Sequence, residues 1–433
     1  MPLPDPGAAG FTPLLLKHVQ QHPNLKGWSV NPSLFSILLL VLIANKGGLI
    51  VDVEEYGRNE VLQVVQAMVQ SIFGLSTGYI SLGRSTHTEE LPWKLFRHDP
   101  LIFSRGPRHS PKLAHTPSRR TAAVKGWNQR FADSETETSY HNLDQAHLDL
   151  PDVLIVTGLE NAPSTVQMKI NEYLRKKQIE VWIDPVGEDG ERRTRTWKFN
   201  PLIIWIRQKT TKVPCWVIDH FGCNTSLHPS VISPPPRDLR LGAIVPKSYI
   251  SILALLLPFT YIHPPLSIHI SNLFSAVNGH PALHSTLTQR AVRTFPDFVR
   301  AHRLLLGGFD LPEDFEARLY EKHFGTKDSS QEGKETMSNW INEFCLRTDW
   351  AGEVPDIRDL LKKNLKEEDI ENWYATLFNV EGVWKVCMAH RVRQRQEREE
   401  VMWLMTGSLA EETKKKDIDG REDRILNEIL QTV

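Results

Sequence analysis

The chain has 433 residues, enough for two or three domains at roughly 100 to 200 residues each. A formal net charge of −1 with 24% charged residues excludes the strongly basic balance of a protein held mainly by nucleic acid or an anionic membrane. Its four cysteines, Cys215, Cys223, Cys345 and Cys387, form no CxxC pair or disulfide framework, which predicts a reduced, intracellular protein, cytoplasmic with the nucleus as the alternative.

The opening MPLPDPGAAG has no basic patch before an apolar stretch, so no signal peptide is expected. Leu34 to Ala44 and Tyr249 to Ile262 are strongly apolar, but both are shorter than the roughly 20 residues that cross a bilayer and read as buried core helices. GGLIVDV, Gly47 to Val53, predicts a buried strand. After a break at Tyr56-Gly57, RNEVLQVVQAMVQSIFG has helical apolar spacing with a stop at Gly74, and Thr77 to Gly83 predicts a second short strand. Strand, helix, strand in this order predicts a parallel α/β unit.

From Ser104 to Arg130 the chain carries seven Lys or Arg and no acid, and the sign reverses at Asp133, Glu135 and Glu137. Such a basic, apolar-poor stretch predicts a solvated insertion; a nucleic-acid contact is the competing reading, weakened by the absence of interleaved aromatics. Asp152 to Gly158 then predicts a strand, with a helix opening at Pro163 and running to about Lys177. IEVWI and the polar run beyond it predict a hairpin around Gly187 and Gly190, and PLIIWIRQ, Pro201 to Gln208, another buried strand. The proline-rich Ser233 to Arg240 reads as a linker. Beyond it the pattern is helical, with the Ser285/Thr286 region as a helix cap, Thr326 to Glu335 as an exposed spacer and a charged tail from Thr413 to Glu422.

NAPSTVQMKINEYLRKKQIE is similar to the strand-to-helix turn and following helix of the MoxR and magnesium-chelatase group of AAA+ ATPases, with Ala162, Pro163 and Gln167 at the group's spacing. In the same order, YISLGRSTHTEELPW resembles its second strand, PLIIWIRQK its sensor strand and VIDHF its LDRF element. ISNLFSAVNGHPALHSTLTQRAV resembles the lid helices, with Arg290 at the second sensor position, and the later lid helix ends in His390-Arg391. These matches run from about Leu34 to Val392 and resemble the divergent members found in fungi.

The resemblance implies an AAA+-like α/β fold: a parallel sheet with helices on both faces, followed by a helical lid. Residues 1–99 would be the first half of the core and 100–150 an insertion. Residues 151–232 would be the second half with its hairpin, 233–247 a linker, 248–410 the lid and 411–433 the tail. It also implies ATP and Mg²⁺, and assembly with copies of the chain or with other AAA+-like subunits.

The residues that would perform hydrolysis are altered. The phosphate-binding GxxxxGK[ST] is replaced by VEEYGRNEV, where Tyr56, Gly57 and Arg58 stand near the loop's end and Arg58 is the one substitute for the lysine. Asp52, Glu54 and Glu55 at the strand exit are expected to repel a triphosphate. Thr157 and Gly158 occupy the places of the Mg²⁺-binding Asp and the water-activating Glu, and Glu160 falls two residues late, where it reads as a helix-capping or solvent-facing side chain. Lys209 replaces the sensor asparagine and His220 the arginine of LDRF; Arg290 alone keeps its type.

No GxSxG elbow appears, and His263, His269, His280, His284 and His302 lack metal-ligand spacing. The expected function is a pseudo-ATPase that binds or scaffolds, with no cofactor and no membrane partner. Two readings compete: an active magnesium-chelatase-like ATPase completed by a partner, and a nucleic-acid-associated protein using the 104–130 run.

Overall fold

The computed structural model describes residues 3–54, 57–96, 150–183, 193–208, 213–236, 239, 242–309, 373–394 and 421–433. The basic 104–130 run, the glycines of the predicted hairpin turn and the 326–335 spacer lie outside the described residues.

In chain order, helix α1 (Phe11–Gln21) and helix α2 (Pro32–Ala44) precede strand β1 (Gly48–Val53), helix α3 (Arg58–Ala67) and strand β2 (Thr77–Ser81). Helix α4 (Leu91–Leu95), strand β3 (Val153–Thr157) and helix α5 (Ser164–Lys176) follow. Strands β4 (Gln178–Ile183) and β5 (Arg193–Lys198) form the antiparallel hairpin that the sequence predicts. Strand β6 (Leu202–Gln208), the short helix α6 (Cys215–Ile218) and strand β7 (Phe221–Leu227) complete the α/β part.

Five strands make one sheet in the order β2-β3-β6-β1-β7, and every pairing in it is parallel. Parallel neighbours need a crossover, so α3 carries the chain from the interior strand β1 to the edge strand β2, and α5 starts the return. The order reverses around β1 and β6. In open sheets of this kind, that reversal puts a crevice at the carboxyl ends of the strands.

Alternate residues of each strand supply two separate cores, because successive side chains point to opposite faces. Leu49, Val51, Val153, Ile155, Ile204 and Ile206 join α2, α3 and the helices beyond residue 247 in one apolar cluster. Ile50, Leu154, Val156, Ile203 and Trp205 join α4 and α5 in the other. Both faces are covered, which is why β1 is buried at all six positions rather than alternating.

Helix α2 is apolar on every side, and eight of its residues are buried. Asn31 Oδ1 accepts from the Leu34 amide at 2.9 Å, Pro32 begins the helix, and Asn45 ends it with φ 48°. The Leu34 to Ala44 run is therefore a core helix, while the Tyr249 to Ile262 run is core helix only to Leu256 and ends beside an exposed Tyr261. No helix among the described residues is long and apolar enough to cross a membrane.

The C-terminal helices α7 (Lys247–Leu256), α8 (Pro264–Gly279), α9 (Gln289–Leu306) and α10 (Leu377–Met388) lie in the same cluster as α2, and helix α11 (Arg421–Thr432) follows. The cap of α9 is Thr288, whose Oγ1 accepts from the Ala291 amide at 3.2 Å, not the Ser285/Thr286 region. Those residues are committed elsewhere: Ser285 ends strand β8 (Leu283–Ser285), which pairs with β9 (Val392–Gln394), and Thr286 donates to the Arg391 carbonyl. The proline-rich stretch is not free-standing where it is described, since Trp28 Nε1 donates to the Ser233 carbonyl at 2.9 Å.

Candidate functional site

At the carboxyl end of β1 the chain turns through Gly57, whose φ of 118° suits glycine, and enters α3 at Arg58. Tyr56 and Lys209 lie outside the described residues. Arg58 is held: its guanidinium meets Glu160 Oε1 at 2.9 Å, and the Glu160 side chain is only 1% exposed. Glu160 is thus a buried ion-pair partner, which corrects its reading as a capping or solvent-facing residue. Its second oxygen accepts from Trp205 Nε1 at 3.1 Å.

Trp205 continues this arrangement into β6. The Arg207 guanidinium carbon lies 5.1 Å from the Trp205 ring centre, and Arg207 Nε donates to Asp52 Oδ1 at 2.6 Å. Asn224 of β7 donates to the other Asp52 oxygen at 2.6 Å. Asp52 and Arg207 face each other in the β1/β6 register and both are buried. The expectation that Asp52 is a free, repelling carboxylate is therefore corrected, because its charge is neutralised inside the sheet. Glu54 is exposed with His228 3.3 Å away, and Glu55 lies outside the described residues.

Thr157 and Gly158 sit at the end of β3, beside this chain of contacts. Thr157 is buried, and its hydroxyl lies 3.1 Å from the Tyr79 hydroxyl. Gly158 has φ 70° and ψ 13°. A Cβ placed on it would lie 2.1 Å from the Leu82 carbonyl oxygen. That oxygen is backbone, in a segment fixed by the Leu82 amide donating to the Thr157 carbonyl at 2.8 Å. The main chain at Gly158 is therefore built for a residue without a side chain, and a glutamate does not fit there.

His220 and Arg290 are brought together, but at the opposite end of the sheet. The His220 carbonyl accepts from the Gly48 amide, so the residue lies at the amino ends of β1 and β7. The five steps from Gly48 to Val53 along β1, at about 3.3 Å each, put it roughly 17 Å from the carboxyl end of that strand. Arg290 Nη1 donates to His220 Nδ1 at 2.8 Å and lies 3.6 Å from Asp219 Oδ2. His220 Nε2 is paired with the Asn171 side-chain oxygen. Arg290 requires an unprotonated Nδ1, so the ring is neutral with its proton on Nε2. Burial, reinforced by the Arg290 charge, pushes its pKa down to about 4.

The same corner takes the buried pair at the end of the later helix. Arg391 donates to Asp219 Oδ1 at 3.2 Å and to the Phe221 carbonyl at 2.7 Å, and His390 Nε2 donates to that carbonyl at 3.0 Å. Burial lowers the His390 pKa well below its ordinary value. This corner ties the C-terminal helices to the sheet.

ATP with Mg²⁺ is the group that the resemblance implies; among the described residues, those at the strand ends are engaged with one another. Binding Mg²⁺ needs an available carboxylate, and holding phosphate needs an available cation or N–H array. Asp52, Glu160, Arg58 and Arg207 instead satisfy one another. Among the described residues no group of three His, Cys, Asp or Glu side chains could hold a metal ion. A groove of about 1040 Å³ lies on the α4/α5 face between Trp93, Met168, Tyr173 and Glu180; none of the six described sequence-predicted positions lines it.

Sequence reading missed Trp205, Arg207 and Asn224 as part of this site. One signal was present: an acid in GLIVDV and a base in LIIWIRQ interrupt two otherwise apolar strands, and buried opposite charges are expected to pair. No family model matches the chain, and no curated protein matches it. Among solved structures, the chain is similar to a crystal structure from Cytophaga hutchinsonii, of a protein provisionally described as an ATPase, with 10% identity and a TM-score of 0.50. The likeness spans 96% of this chain and 93% of that one, and at this identity it shows the fold alone: a five-stranded parallel α/β core with a helical C-terminal part.

Proposed function

We propose that this chain is a pseudo-ATPase, an AAA+-type fold that binds or scaffolds as a subunit of a larger assembly and does not hydrolyse nucleotide. One observation carries the reading: the left-handed Gly158 lies against the Leu82 carbonyl where a water-activating glutamate would stand. A lost side chain is restored by one substitution, whereas here the backbone itself occupies the space. The Arg58–Glu160 pair supports the same reading, because the one substitute for the phosphate-binding lysine is engaged internally.

Titration of the purified chain with a fluorescent ATP analogue and Mg²⁺ tests the reading. The expected result is no saturable binding at micromolar concentration and no phosphate release. Micromolar affinity that disappears in Arg58→Ala would overturn it and favour an active ATPase completed by a partner. For the scaffold role, size-exclusion chromatography with light scattering is expected to show assembly unchanged by ATP, and assembly that needs ATP would sink it.

A further inference from the structure

Two buried thiols meet where the C-terminal helices rest on the sheet. Cys223 of β7 and Cys387 of α10 have their sulfurs 3.9 Å apart. They are 0% and 2% exposed, and 164 residues separate them in sequence. A disulfide places its sulfurs about 2.05 Å apart, which leaves about 1.9 Å for the helix and strand to close. Arg391 and His390 anchor the end of α10 to the Phe221 carbonyl, two residues before Cys223, so the pair is already held in register.

We propose that Cys223 and Cys387 form an oxidisable pair whose disulfide locks helix α10 onto β7, with a peroxide as the oxidant. One sulfur attacks a peroxide oxygen; the O–O bond breaks, water leaves, and that sulfur becomes a sulfenic acid. The second sulfur then displaces the sulfenic oxygen, forming the S–S bond and releasing a second water. Two thiols lose two electrons and two protons in all, and one hydrogen peroxide is reduced to two waters. Burial pushes the Cys223 thiol pKa up, which keeps its sulfur protonated while the contact is closed. Oxidation therefore proceeds through opening of α10 and is slow, and the product holds α10 shut.

The test uses the full-length protein, exposed to hydrogen peroxide without reductant, then unfolded, alkylated and digested. The expected product is a linked Cys223/Cys387 peptide pair lighter by two hydrogens, restored by dithiothreitol. The oxidised protein is expected to melt about 5 °C higher, because a link across a long loop restricts the unfolded chain. Cys387→Ser is expected to keep the reduced-state melting temperature within a few degrees and lose both the link and the gain. Cys215→Ser, which alters an exposed thiol, is expected to lose neither. The proposal is overturned by thiols that resist peroxide until the chain is denatured, or by a link to Cys215 or Cys345 instead. It is equally overturned if the Cys223/Cys387 link forms without raising the melting temperature.

Discussion

Placing an acid at the end of β3 by Gly158→Glu should destabilise the fold rather than add chemistry. The residue sits at φ 70°, where a residue with a side chain costs roughly 1–2 kcal/mol. Its Cβ would meet the Leu82 carbonyl oxygen at 2.1 Å, and forcing extra atoms into packed surroundings costs typically 1–3 kcal/mol more. The sum is about 2–5 kcal/mol, a large share of the 5–15 kcal/mol that a domain usually has. Gly158→Ala should lose nearly as much, since the clash begins at Cβ. The assay is urea denaturation followed by tryptophan fluorescence, with Trp205 in the core as reporter. The midpoint should fall at unchanged slope. A Gly158→Glu protein within about 1 kcal/mol of the parent, or one that releases phosphate from ATP, would refute the claim that the backbone excludes an acid.

Arg207→Met should cost about 3–5 kcal/mol by urea denaturation, because Asp52 would remain as a buried, unpaired charge; adding Asp52→Leu should recover much of that loss. Arg58→Ala should cost only about 1 kcal/mol, as Arg58 is 34% exposed. Thr288→Ala should lower stability by about 1 kcal/mol through the lost cap of α9. His220, held down to about 4, and His390, also lowered, cannot take the protons that the unfolded chain binds near pH 6.5. Stability should therefore be complete above about pH 6.5 and fall as pH drops toward 4, with His220 contributing roughly 1–2 kcal/mol after allowance for its partial exposure. A melting temperature flat from pH 7 to pH 5 would contradict this.

The strands β1, β3 and β6 were legible because a buried parallel strand reads as an unbroken apolar, β-branched run, as in VLIVT and LIIWI. Helix α5 was legible from its apolar period, to within a residue at each end. Strand order was different, since periodicity says which residues are buried but not which strand lies beside which. The resemblance implied a parallel sheet with helices on both faces but no order for its strands. The candidate site was half legible: the absences at Thr157 and Gly158 were visible, but what replaced them was not. Arg58 and Glu160 are 102 residues apart and Arg207 and Asp52 155, so no local pattern pairs them. The cap of α9 failed for a related reason, because Ser285 is taken by a ladder to Val392, which lies more than a hundred residues downstream.

The internal pairs also bear on whether a partner could complete the site. A bound nucleotide would join the loops after β1 and β3 through its phosphates. Here Arg58 and Glu160 join those two loops with protein atoms, and Trp205 fastens the join to β6. Nucleotide stabilises a fold only through its affinity for the folded state, by RT ln(1 + [L]/Kd). On the proposed reading, the described pairs at the strand ends would have to open before that term could contribute. A completing partner would have to supply the missing groups, separate Arg58 from a buried Glu160, and displace the Leu82 carbonyl from Gly158. Separating Arg58, a third exposed, from Glu160 alone costs about 1 kcal/mol, equivalent to a loss of roughly fivefold in apparent affinity. Under the proposed pseudo-ATPase reading, these described pairs keep the sheet rigid without a ligand.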